Sequence, residues 1–230
     1  MHLNFENKVV LITGATNGIG EEILNAFLKT KARIIVTGNT TSKRKFLKKY
    51  KSKKIIAYFQ VDFRNYVSSN NFYNDLKKIK KIDICINNAG INKIDYIDKI
   101  DNEFDDLLNV NLNSPFKIIK IFSEKMKKNK FGKIINISSI WGKKSREKRI
   151  SYSTSKYALN GLTVSSSIEL AKHNILINSV SPGFVDTNLT RKILSKKEIE
   201  RVKKQIPIGR LARTNEISPL ILFLTSELNS

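Results

Sequence analysis

Residues 8–20 run Lys8-Val9-Val10-Leu11-Ile12-Thr13-Gly14-Ala15-Thr16-Asn17-Gly18-Ile19-Gly20. A short, unbroken apolar run rich in β-branched residues reads as a strand covered on both faces. It leads at once into glycines spaced G-x-x-x-G-x-G and then into a segment of helical period. Glycines at a strand-to-helix turn let backbone amides approach an anion, and the N-terminus of the following helix favours the anion's charge. The stretch is therefore a phosphate-binding turn, with Gly14, Thr16, Asn17, Gly18, Ile19 and Gly20 as candidate contacts. Its spacing differs from the commoner G-x-G-x-x-G fingerprint.

The same alternation continues outward. Residues 8–13, 33–37, 54–61, 82–86, 133–138 and 175–181 read as strands, and 18–30, 42–50, 67–80, 103–128, 151–173 and 214–227 as helices. Strands alternating with helices predict an α/β fold with a doubly wound parallel sheet, a Rossmann-like three-layer αβα sandwich. Right-handed crossovers place every strand's carboxyl end on one edge, where ligands bind. Residues 188–205 also have helical period but interrupt the alternation, so they are expected to form a lid over that edge. No repeat, Pro-rich linker or composition shift divides the chain, and one domain over 1–230 is expected.

Forty-two Lys+Arg stand against 20 Asp+Glu, a net charge of +22. The bases lie at 43–54, 77–81, 125–133, 143–149 and 191–204, and no single stripe emerges of the kind a nucleic-acid groove requires. Lys-rich sequence that is also rich in Ile and Asn is what a biased genome produces without any selected partner, so most of these lysines read as solvated surface. One cysteine, Cys85, excludes an internal disulfide, and two histidines, His2 and His173, leave no Cys/His cluster for a metal. No apolar run approaches the roughly 20 residues that span a bilayer, and no signal peptide is visible. A cytoplasmic chain without a membrane anchor is expected.

The second strand ends at Gly38, where a fold specific for NAD places an acid on the ribose hydroxyl. Here Asn39, Thr40, Thr41, Ser42, Lys43 and Arg44 follow, hydroxyls and cations able to hold a 2′-phosphate. NADP is favoured over NAD, with Asn39 and Thr40 as contacts. Tyr152 and Lys156 are four apart on a predicted helix, hence on one face. An ammonium beside a phenol lowers the phenol's pKa, so the pair is expected to exchange a proton near neutral pH.

Five further features bring a resemblance into view: Asn87-Asn88-Ala89-Gly90 after the fourth strand, Asn111 in NVNLNSPF, Ser139 in INISSIWG, Tyr152-Ser153-Thr154-Ser155-Lys156, and Pro182-Gly183-Phe184-Val185-Asp186-Thr187 after the sixth strand. In order, spacing and position at strand ends the chain resembles the classical short-chain dehydrogenases/reductases over nearly its whole length. The resemblance implies hydride transfer between a nicotinamide and a carbonyl or secondary alcohol. It assigns catalysis to Asn111, Ser139, Tyr152 and Lys156: Ser139 on the substrate oxygen, Tyr152 as proton donor or acceptor, and Asn111 holding a water that connects the lysine to solvent. For Asn111 an alternative is a side chain closing a local helix irregularity. Ser138 competes with Ser139, but strand alternation puts the two on different faces, and the family's pattern selects Ser139. By the same analogy Asn88, Ala89 and Gly90 border the adenosine ribose and pyrophosphate, and Asp62 meets the adenine, unless it caps the next turn. Tyr152, Lys156, Pro182, Gly183, Val185 and Thr187 complete the cofactor side.

The 141–149 segment joins Ser139 to Tyr152 and is strongly basic, as is the lid, which raises an anionic or carrier-bound substrate as an expectation. Relatives pair through the two long helices, implying a homodimer or homotetramer. They also continue into a seventh strand, so the sequence looks shorter by one strand at its C-terminus. The leading expectation is NADPH-dependent carbonyl reduction, with 3-oxoacyl-carrier-protein as first substrate. Alternatives are a sugar or sugar-acid oxidoreductase of a glycan pathway, or a nucleotide-sensing or nucleic-acid-binding protein on the same fold.

Overall fold

Six short strands, β1 (Val9–Ile12), β2 (Arg33–Gly38), β3 (Ile55–Gln60), β4 (Ile84–Asn87), β5 (Gly132–Ile137) and β6 (Ile175–Val180), form one sheet in the order β3-β2-β1-β4-β5-β6. Every neighbouring pair is parallel. The computed structural model describes residues 3–230. All six predicted strands are present, and β6 is an edge, with no seventh strand among the described residues.

The apolar runs fail to alternate because both faces are buried. Val9 and Leu11 join a core with Phe72 and Leu76 of α3 (Tyr66–Lys78) and Ile118, Phe122 and Met126 of α5 (Ser114–Asn129). Val10 and Ile12 join another with Ile23, Leu24 and Phe27 of α1 (Gly18–Leu28), Phe46 of α2 (Lys43–Lys49) and Ile221 of α9 (Ser218–Thr225). Each such fully buried side chain contributes about 1.5–3 kcal/mol. These two cores fix the strands whose ends carry the site.

Three predicted helical segments are broken, among them 214–227, which is a 3₁₀ turn (Thr214–Glu216) followed by α9. The segment 103–128 is α4 (Glu103–Leu108), a π-helical turn (Asn109–Asn113) and α5. The 188–205 segment is α7 (Asn188–Ile193) and α8 (Lys196–Gln205), separated at Leu194 and Ser195, where Ser195 and Glu198 form a capping box that starts a new helix. A third small cluster, Leu194, Val202 and Leu211, holds the two together. The predicted 151–173 helix is α6 (Ile150–Leu170) followed by a 3₁₀ turn. Among the described residues no helix is long and apolar enough to cross a membrane.

Candidate active site

The strand order reverses between β1 and β4, and the glycine turn and Asn88–Gly90 leave the sheet side by side there. Gly14 and Gly18 adopt φ of 65° and 59°, the left-handed region that favours glycine. A Cβ on Gly14 would lie 2.9 Å from the Ala89 Cα, and one on Gly20 would collide with the Asn88 amide. The Asn88 side chain is occupied in bracing this turn: its Nδ2 donates to the carbonyls of Thr13 (2.9 Å) and Gly14 (3.1 Å). Thr13 Oγ1 accepts from the Asn88 and Ala89 amides, both at 3.0 Å, and Thr37 Oγ1 accepts from the Gly14 amide at 3.0 Å. Thr13 and Thr37 were invisible as site residues because their role depends on strands adjacent only in space.

From this turn a cleft of about 590 Å³ runs along the carboxyl edge. It is lined by Gly14, Thr16, Asn17, Gly18, Ile19, Gly20, Asn39, Thr40, Asp62, Asn88, Ala89 and Gly90. Ser139, Tyr152, Lys156, Pro182, Gly183, Val185 and Thr187 line the same cleft. Backbone approach without side-chain obstruction suits a pyrophosphate, so the residues present fit a dinucleotide.

At the β2 end, Asn39 and Thr40 line the cleft, whereas Lys43 and Arg44 are exposed on α2. Arg64, overlooked in the sequence, also lines it. Its Nε and Nη2 donate to Asp62 Oδ1 and Oδ2 at 3.0 and 2.6 Å, and the Arg64 amide donates to Oδ1 at 3.0 Å. That guanidinium holds the Asp62 carboxyl below its ordinary pKa. Asp62 thus caps the next turn as well as bordering the cleft.

Ser139, 7% exposed, initiates a 3₁₀ turn (Ile140–Gly142), its Oγ accepting from the Trp141 amide at 3.2 Å. Ser138 turns the other way, its Oγ donating to the Lys156 carbonyl at 3.4 Å. Lys156 is buried, and its Nζ donates to the Ile137 carbonyl at 2.8 Å and lies 5.7 Å from the centroid of the Tyr152 ring. Burial lowers the Lys156 pKa to about 8. The expectation that this lysine depresses the phenol is corrected. Burial raises the Tyr152 pKa, and the opposing influences are the Ser139 hydroxyl and the Arg149 guanidinium. The lysine's charge is itself weakened by the burial that brings it close.

Asn111 does not touch Lys156 through its side chain. Its Nδ2 donates to the Ile91 carbonyl and to Ser155 Oγ, both at 3.0 Å, and its Oδ1 accepts from the Ile91 amide at 2.9 Å. It therefore ties the π-helical turn to the loop after β4 and to α6.

Thr187 caps α7 and stands against the glycine turn, its Cγ2 being 3.5 Å from where a Gly18 Cβ would lie. Of the 188–205 segment only α7, with Leu194, lines the cleft; α8 packs behind it through Val202. In the basic segment, Lys143, Lys144, Arg146 and Lys148 are exposed, while Arg149 is buried and lines the cleft.

Comparison with known proteins agrees with this arrangement. The family model for short chain dehydrogenases matches residues 8–198. The 3-oxoacyl-[acyl-carrier-protein] reductase FabG of Aquifex aeolicus (strain VF5) is 33% identical over 235 residues, covering all of this chain and 94% of that protein. FabG of Escherichia coli (strain K12) is 31% identical, with 98% and 92% covered. Among solved structures, ElxO with NADP bound has a TM-score of 0.85 and 29% identity, covering 96% of this chain and 92% of that one. A 4-hydroxyisoleucine dehydrogenase complexed with NADH has a TM-score of 0.87 and 30% identity, with the same coverage. Because the family match begins ahead of β1 and extends into α8, taking in the whole carboxyl edge of the sheet, the chain belongs to the short-chain dehydrogenases and is an NAD(P)-dependent oxidoreductase.

Proposed function

We propose that this chain reduces a carbonyl with NADPH, and that its substrate is a 3-oxoacyl group carried as a thioester. The observation that carries the reading is one continuous cleft joining the glycine turn to Ser139, Tyr152 and Lys156. NADPH is supported over NADH by the end of β2, where Asn39 and Thr40 border the cleft, and by Asp62 being engaged by Arg64. The NADP bound to ElxO points the same way, although a neighbour of equal similarity holds NADH, and the names of the FabG relatives point to the 3-oxoacyl substrate.

The glycine turn and the loop after β4 would hold the pyrophosphate and ribose, and Val185 and Thr187 the nicotinamide side. When bound, the cofactor supplies the hydride. Ser139 Oγ donates a hydrogen bond to the substrate oxygen as negative charge develops there. Tyr152 supplies the proton to that oxygen. A phenol whose pKa is raised by burial is fully protonated at neutral pH, which favours reduction. Lys156, with a pKa of about 8, stands behind the phenol, able to pass a proton inward. Assembly as a homodimer or homotetramer through α5 and α6 belongs to the same reading.

The test is fluorescence titration with NADPH and NADH, in low salt and in about 0.5 M salt to suppress polyanion attraction. Saturable NADPH binding that survives salt and exceeds NADH binding is expected. Tyr152→Phe should lower turnover of acetoacetyl thioester by roughly 10³-fold, the usual worth of a positioned acid, and leave NADPH affinity within a few fold. Preferential NADH binding would overturn the cofactor assignment.

A further inference from the structure

The guanidinium of Arg149 is out of place as a structural group. The residue is 2% exposed, and its Nε and Nη2 are buried without a hydrogen-bond partner among the described residues. Such donors are almost always satisfied in a folded protein, and an unpaired buried charge opposes folding. Its neighbours do not answer it. Arg146 lies over the same face of the site, each guanidinium 5.3 Å from the Trp141 ring centroid, and repels it. Glu198 of α8 is the acid that acts on it, but both Glu198 bonds given to Oε2 go to Ser195, at 2.8 and 2.7 Å. Trp141 stacks on the cation and fixes it, as aromatic faces do. Burial and Arg146 together lower the Arg149 pKa to about 10, so it is still charged at neutral pH.

Its position is that of a substrate contact. Arg149 precedes Tyr152 by three residues at the start of α6, and the Ser153 amide donates to its carbonyl at 2.7 Å, so both side chains project from the same first turn. Trp141, which holds the guanidinium, follows Ser139 by two residues. Arg149, Ser139 and Tyr152 all line the cleft. We infer that Arg149 is a specificity-determining residue whose free Nε and Nη2 donors bind a second oxygen of the substrate, the acyl oxygen of a 3-oxoacyl group, next to the carbonyl being reduced. This rests on the carbonyl-reductase reading above and adds the residue that recognises the substrate. The acyl oxygen belongs either to a free carboxylate or to a thioester, and the fork geometry of arginine accepts both. The exposed lysines of the 143–148 run have no part in it.

The experiment compares wild type, Arg149→Met and Arg149→Lys, with NADPH, on acetoacetate, on acetoacetyl N-acetylcysteamine and on the monoketone 2-butanone at fixed ionic strength. The quantity read is the ratio of kcat/KM for each 3-oxoacyl compound to that for 2-butanone. Arg149→Met is expected to lower the ratio by about 10- to 100-fold, the worth of a charged hydrogen bond, mostly through KM. Arg149→Lys should fall between, since it keeps the charge and loses the fork. The compound whose ratio collapses identifies the source of the oxygen. An unchanged ratio overturns the inference, as does a large fall in melting temperature of Arg149→Met with loss of NADPH binding, which marks a folding role. Should wild type reduce none of the three, the 3-oxoacyl reading fails, and calorimetric binding of malonate to the NADP-loaded protein decides the inference separately. Loss of malonate binding in Arg149→Met supports it, and binding that is absent or indifferent to the substitution overturns it.

Discussion

Lys156 carries a charge that its surroundings disfavour. Below pH 8 it is protonated in both folded and unfolded chains, and the full cost of burying the ammonium falls on the fold. Between about 8 and its ordinary 10.5 the unfolded chain binds more protons, so stability rises with pH, and above that range the penalty is gone. Lys156→Met is therefore expected to be inactive yet more stable at pH 7 by roughly 2 kcal/mol, or about 4–8 °C in Tm, after allowing for the lost bond to the Ile137 carbonyl. Thermal melts should show the gap closing toward pH 10.5. Tyr152 gives the kinetic counterpart. Its raised pKa means that alcohol oxidation, which needs phenolate, increases with pH into the alkaline range, whereas carbonyl reduction stays level through neutrality. Profiles of kcat/KM in both directions check this, and a reduction limb falling below pH 7 would contradict it.

At the scale of elements, the π-helical turn between α4 and α5 orders the floor of the site. Asn111 is 1% exposed and satisfies both backbone groups of Ile91 as well as Ser155. Asn111→Leu removes these partners while keeping the branched shape of the side chain. Leaving the Ile91 amide and carbonyl unpaired should cost about 2–4 kcal/mol, and the loop after β4 should loosen. Denaturant unfolding and NADPH titration are expected to show a lower midpoint and an affinity reduced by roughly tenfold, the equivalent of about 1.4 kcal/mol. Unchanged affinity would separate this loop from cofactor binding. The continuous helix predicted for 103–128 had a physical basis, since apolar residues keep helical spacing through Leu107, Val110, Ile118 and Phe122. A π turn alters hydrogen bonding over a few residues without disturbing that spacing. Reading 188–205 as one helical segment missed a signal that the sequence carries: Ser195 followed three residues later by Glu198 is a capping-box signature.

Across the whole molecule, the apolar residues of α6 divide. Leu159 and Leu170 are buried, whereas Val164 and Ile168 are 58% and 75% exposed, and Phe116 of α5 is 50% exposed. Exposed apolar side chains on the outer faces of two adjacent helices suit a contact between copies of the chain. Ile168→Glu is expected to shift sedimentation from dimer or tetramer toward monomer without changing the melting behaviour of the isolated fold. A wild-type chain that sediments as a monomer would remove the assembly reading.

The sequence by itself determined the order of strands and helices and the glycine turn, because these depend on local period and short spacing, and it put Tyr152 and Lys156 on one helix face, while the choice of Ser139 beside them came from the family resemblance. Tertiary structure decided what surrounds them. The bracing of the turn by Thr13, Thr37 and Asn88, the capture of Asp62 by Arg64, and the rise of the Tyr152 pKa all depend on which segments become neighbours and how much water they exclude. Arg149 marks the limit of sequence reading: in the chain it is one base in a basic run, and only packing against Trp141 makes it the buried one. Burial is a property of the assembled layers, and it turns one of several similar charges into a group that requires a partner.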